Sequence, residues 1–141
     1  MAPDSRTASA GEPSPAGAVN IALSNAIVRL HRDYLGRGPT RTRTSIRDDV
    51  VVVVMHDTLT KAERSLAEDG KRDEVLFTRS SLQSTMRNDM VAAVEQILSR
   101  RVVAFLSSNH IDPDLACEVF VLAPAPDDPN EPPNADDDAG A

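Results

Sequence analysis

Residues 40–55 read TRTRTSIRDDVVVVVM, and this stretch decides the fold. Its first half alternates with period two. Thr40, Thr42, Thr44 and Ile46 lie on one side of an extended chain, and Arg41, Arg43, Ser45 and Arg47 lie on the other. Asp48 and Asp49 supply a turn, since aspartate tolerates a left-handed backbone and bonds its own turn. Val50 to Met55 then forms a second strand of β-branched residues suited to a pleated surface. The pair predicts a β-hairpin. Its second strand is apolar on both faces, so it is either a central strand covered twice or one whose second face meets another subunit.

Working outward, residues 18–34 place Ile21, Leu23, Ala26, Ile27, Leu30 and Tyr34 at helical spacing, with Gly36, Gly38 and Pro39 as the stop. Downstream, Thr60-Lys-Ala-Glu63 is a capping box that opens a short helix ended by Gly70. A long helix over residues 71–99 follows, with Leu82, Met86, Met90, Ala93, Val94 and Ile97 as its apolar stripe. At 1.5 Å per residue it would reach about 42 Å, more than short strands need, so its first turns are expected to extend beyond the domain or meet a partner. Residues 102–107 and 115–122 read as a second pair of strands, joined by the turn-forming loop of residues 108–114.

The order α-β-β-α-α-β-β predicts an α+β fold: a two-layer, four-stranded antiparallel sheet of two hairpins with helices on one face. About four strands, with helices for one face only, also predict a homodimer.

The flanks differ in kind. Residues 1–17 are small and Pro-rich, and residues 125–141 are acidic and Pro-rich, so both are expected to be disordered tails around a domain at 18–124. The formal charge of −7 belongs to those tails. Asp4, Glu12, Asp127, Asp128, Glu131, Asp136, Asp137 and Asp138 face only Arg6 there, so the domain is neutral by count. A neutral domain without aromatics among its arginines argues against nucleic-acid binding. The single cysteine, Cys117, excludes an internal disulfide framework and fits a reducing, cytoplasmic compartment. The longest apolar run has six residues, against roughly 18 for a membrane span, so direct membrane insertion is not expected. The N-terminus also lacks the basic-then-apolar order of a secretory signal.

Candidate chemistry is sparse. Arg37, Arg41 and Arg43 beside Gly36 and Gly38 could grip a carboxylate, phosphate or bicarbonate, with the glycines admitting a ligand to the backbone. The simpler reading is an edge strand that uses charge to deter pairing. His110, Asp112 and Asp114 alternate in one loop, but tight paired Cys or His spacing is lacking, so turn chemistry is preferred and no metal is expected. Cys117 shares a strand face with Leu115, Val119 and Val121 and reads as a small buried hydrophobe. Glu118, on the opposite face with Ala116, Phe120 and Leu122, needs a partner such as an arginine. No phosphate loop, nucleophile elbow or Cys-x-x-Cys motif occurs.

Taken together, residues 24–30 (SNAIVRL), 36–43 (GRGPTRTR), 57–64 (DTLTKAER), 101–105 (RVVAF) and 109–114 (NHIDPD) resemble the MpsC-like family, over about residues 18–124. The resemblance implies a small cytosolic protein linked to a membrane system for cation and inorganic-carbon transport, and it supplies no catalytic residue. Positions matching its motifs are Gly36, Arg37, Gly38, Pro39, Arg41, Thr58, Leu59, Glu63, His110, Asp112 and Pro113. The expected function is therefore a non-catalytic accessory or regulatory module that binds a protein partner and needs no cofactor. The alternative is a small-anion binding protein or small enzyme using the Arg41/Arg43 face. Gly36, Arg37, Gly38, Arg41, Arg43, His110 and Asp112 are the candidate ligand-binding residues.

Overall fold

A computed structural model describes residues 14–125. Helix α1 (Pro15–Leu35) begins three residues before the expected start, inside the stretch assigned to the N-terminal tail. The reason is local: the Ser14 side chain accepts from the Gly17 N–H, and Pro15 sits where a missing N–H does no harm. The remainder of both expected tails lies outside the described residues. Gly36, at φ 77°, ends the helix by donating its N–H to the Arg32 carbonyl, a left-handed cap that any side chain would strain.

Strands β1 (Arg41–Arg47) and β2 (Val50–His56) form the expected hairpin, with Arg47 opposite Val50 and Asp48 at φ 53° in the turn. The capping box on Thr60 and Glu63 opens α2 (Lys61–Glu68), and α3 (Arg72–Leu98) follows. Strand β3 (Val102–His110) runs three residues further than expected, because Ser108, Asn109 and His110 pair with Cys117, Ala116 and Leu115 of β4 (Leu115–Leu122). The sheet is antiparallel throughout in the order β1-β2-β4-β3, so the two hairpins join through β2 and β4, and β1 and β3 are the edges.

One face of the sheet carries the core. Val51, Val53 and Met55 from β2 and Ala116, Phe120 and Leu122 from β4 pack under Leu23 and Ile27 of α1 and Met86, Met90 and Val94 of α3. Thr44 joins that face and bonds Ser24 of α1 at 2.7 Å. Phe105 and Phe120 meet as a tilted pair with centroids 5.1 Å apart.

Two expectations are corrected here. The first turns of α3 do not project free of the domain: Val75 and Arg79 are buried, and α3 packs on α2. Of the large apolar residues there, Leu76 and Phe77 are exposed, at 37% and 76%. The β4 face bearing Cys117 is left uncovered by the described residues, whereas the face bearing Glu118 is the core. The decisive partners are Ala116, Phe120 and Leu122, which meet the helices and carry Glu118 inward with them. Glu118 has 0% exposure, and its neighbours are not arginines. Gln83 donates to its Oε1 at 3.4 Å, and His31 Nε2 stands 3.6 Å from the same oxygen.

Candidate functional site

Three of the sequence motifs converge on the four-residue loop between β2 and α2. Asp57 turns the chain at φ 63°, and its N–H donates to the Asp114 carbonyl. The Asp114 carboxylate, at the far end of the β3–β4 turn, accepts from the Thr58 N–H at 3.1 Å, the Thr58 hydroxyl at 3.2 Å and the Leu59 N–H at 3.0 Å. The loop carbonyls are taken from the other side. Arg37 Nη1 donates to Leu59 O at 2.6 Å, and Arg79 Nη2 donates to Thr58 O. Thr60 and Glu63 close the capping box at 2.9 and 3.2 Å.

Arg79 is the pivot. Only 1% exposed, it grips Glu63 bidentately, Nε to Oε2 at 2.6 Å and Nη2 to Oε1 at 2.8 Å. A buried guanidinium needs such a partner, and the fork geometry suits a carboxylate. Burial alone would push the Glu63 carboxyl up. The Arg79 hydrogen bonds, the Thr60 N–H, the Arg79 charge and the Thr60 hydroxyl outweigh it and hold the group below its ordinary value of 4.5.

With its floor fixed in this way, a groove of about 340 Å³ opens between α2, the start of α3 and the β3–β4 turn. Leu59, Ala67 and Ile111 form its apolar part, and Arg64, Arg72 and Asp112 its charged rim. Arg64 also holds Asp57 at 2.6 Å and reaches Asp114 at 3.6 Å. An adjoining hollow of about 260 Å³ shares Arg72, Ile111 and Asp112 and adds Leu76 and His110. His110 Nδ1 lies 2.8 Å from the Pro113 carbonyl. A carbonyl can only accept, so that nitrogen carries the proton and Nε2 is the free one.

The candidate residues read from the sequence fall into two places. Asp112 lines the groove, His110 lines the adjoining hollow, and Arg37 helps build the groove floor. Arg41 and Arg43 stand on the uncovered sheet face, where they line a shallow cavity of about 290 Å³ with Val54 and His56. The Arg41 Nη2 is 3.4 and 3.3 Å from the two His56 ring nitrogens, equidistant as in stacking over the ring. Gly36 caps α1. Gly38 packs against it, since an added Cβ would come within 3.3 Å of Val28 Cγ1. Among the described residues no group of three or more His, Cys, Asp or Glu is placed to hold a metal ion.

The sequence reading missed Arg79, Arg72 and Ile111 altogether and took Asp114 for a turn former. The available signal for Arg79 was spacing: Val75, Arg79, Gln83, Met86, Met90 and Val94 form one continuous buried stripe at steps of four and three.

Comparison with known proteins adds a family. The model described as "Na+-translocating membrane potential-generating system (MpsC)" matches residues 16–124. The uncharacterized protein YrhF of Bacillus subtilis (strain 168) is 26% identical over 102 residues, covering 71% of this chain and 84% of its own length. The uncharacterized protein YbcI of the same organism is 28% identical over 92 residues, covering 63% and 73%. No solved structure matches the chain. Among the described residues no helix is long and apolar enough to cross a membrane. The converging motifs at the β2–α2 loop and the match over nearly the whole described fold place this chain in the MpsC family.

Proposed function

We propose that the chain is a non-catalytic accessory or regulatory protein-binding module, docking on a component of a membrane cation-transport system through the groove between α2, α3 and the β3–β4 turn. One observation carries this reading. The strong donors and acceptors of the motifs are turned inward to fix the groove floor, and what remains outward is a rim of charges of both signs around Leu59, Leu76 and Ile111. A rigid apolar floor with a charged rim is the chemistry of protein recognition. The histidine hydrogen bonds go to the Ile27 carbonyl, the Pro113 carbonyl and Arg41, and none of those bonds runs to a hydroxyl or thiol. The family description supplies the kind of partner.

The test is light crosslinking of a tagged chain in its native cell, followed by identification of what co-purifies from membrane and soluble fractions. Recovery of a membrane transport subunit, lost with Arg72→Glu or Asp112→Lys, is the expected result. Both side chains are exposed and make none of the floor contacts. Recovery of the chain alone would remove the reading.

A second reading rests on the Arg41, Arg43 and His56 cavity: a small-anion site for bicarbonate, phosphate or a carboxylate. Millimolar anion should then raise the melting temperature, and Arg41→Glu with Arg43→Glu should abolish the shift. No shift with any of the three anions ends that reading.

A further inference from the structure

The uncovered sheet face is the largest feature that the groove leaves unused. Four rows cross it. Arg47 lies beside Val50 and Val121, Ser45 beside Val52, Val119 and Leu106, Arg43 beside Val54, Cys117 and Ser108, and Arg41 beside His56, Leu115 and His110. Its centre is aliphatic and its β1 edge cationic. Among the described strand residues facing that way none is acidic. Val103 and Leu106 are 54% and 57% exposed in the single chain. Such a surface marks an interaction site.

We infer that a second copy of this chain covers the face, sheet against sheet, about a two-fold axis running along the strands between β2 and β4. This goes beyond the groove reading and uses a different surface. Size supports it. Four strands of at least seven residues cover about 19 by 23 Å, so two flat footprints reach roughly 900 Å² before side-chain relief. That is near the roughly 1,000 Å² a specific interface needs.

Charge selects the axis. A two-fold along the strands lays the arginine edge of each copy on the neutral β3 edge of the other. The two arginine rows then stand about 17 Å apart, from strand and sheet spacings, beyond the screening length of about 8 Å. The other in-plane two-fold, through the centre of the four rows, would stack the arginine edges on each other, Arg41 on Arg47 and Arg43 on Ser45. The aliphatic centres of β2 and β4 meet in either case, as the inner faces of a sandwich do.

The experiment is sedimentation of the full chain at about 100 µM, a concentration that populates even a weak dimer. Wild type should sediment as a dimer. Val119→Asp, at the centre of the face, and Leu106→Glu, at its edge, should sediment as monomers with unchanged circular dichroism. Leu106 is already exposed in the single chain, so its substitution leaves the fold intact and keeps the test valid if Val119→Asp misfolds. Ala92→Glu, on the exposed side of α3, should remain dimeric. A monomeric wild type overturns the inference, and so does a dimer that survives Leu106→Glu. A monomer that still captures a transport subunit through the groove leaves the proposed function standing while this inference falls.

Discussion

Arg79 lies at the same depth as the core methionines and holds Glu63 with two hydrogen bonds, although sixteen residues and a helix end separate the two in the chain. The pair fixes the angle between α2 and α3 and, through the Thr58 carbonyl, the end of β2 as well. Removing one member leaves the other as an uncompensated buried group. Glu63→Ala should therefore destabilise by about 3–5 kcal/mol, read from urea unfolding. Glu63→Leu combined with Arg79→Met should recover most of that loss, because no charge is then left stranded. A double variant as unstable as the single would contradict the account.

Acid should act on the same pair, and the sign follows from the direction of the shift. The folded Glu63 pKa lies below the ordinary 4.5, so its contribution is fully present above that value and is lost as pH falls through the folded one. Stability measured from pH 6 downward should drop across that acid window. Glu63→Gln should show a shallower drop over the same range. Parallel curves would assign the acid sensitivity elsewhere.

Asp114 accepts three hydrogen bonds from two consecutive loop residues. Asp114→Ala strips all three and should cost about 2–3 kcal/mol, the scale of bonds to a charged acceptor. A local signature should accompany the loss: the amides of Thr58 and Leu59 should exchange with solvent faster than those of β2. Uniform acceleration across the sheet would mean that the clamp is not local.

The Cys117 thiol is held above its usual pKa first by burial and then by the charge of Glu118 on the adjacent residue. Maleimide labelling at pH 8 should be slower in the folded chain than in urea. Glu118→Gln, which removes the second cause, should speed labelling of the folded chain. An unchanged rate would leave burial as the sole cause.

Gly36 and Gly38 should respond differently to alanine. At Gly36 the space is open and φ is 77°, so Gly36→Ala should cost about 1 kcal/mol from the left-handed backbone alone. At Gly38 the cost depends on whether Val28 can give way by a few tenths of an ångström. Gly38→Ala combined with Val28→Ala should be milder than the sum of the singles.

The alternation of Thr and Arg in β1, the valine run of β2 and the capping box on Thr60 were legible because each is a local pattern with one physical solution. The four strands and three helices follow from such patterns. The orientation of β4 was not legible, since both its faces are apolar enough to pack and only one meets the helices. Arg79 and Gln83 were hidden for a related reason. A polar residue in an apolar stripe reads as exposed until its partner is known, and Glu63 and Glu118 lie 16 and 35 positions away. Asp114 looked like turn chemistry because its acceptors face a loop 55 residues upstream.

The β2–α2 loop has one more consequence. Arg37 reaches it from the end of α1, Arg79 from within α3 and Asp114 from the β3–β4 turn. The first half of the chain and the second are thus fastened at one joint as well as along the sheet, in the manner of a keystone that bears on both sides of an arch. A ligand or protein that tilts α2 pulls on all three fastenings at once, so strain applied at the groove reaches both hairpins and, through Arg79, the buried stripe of α3.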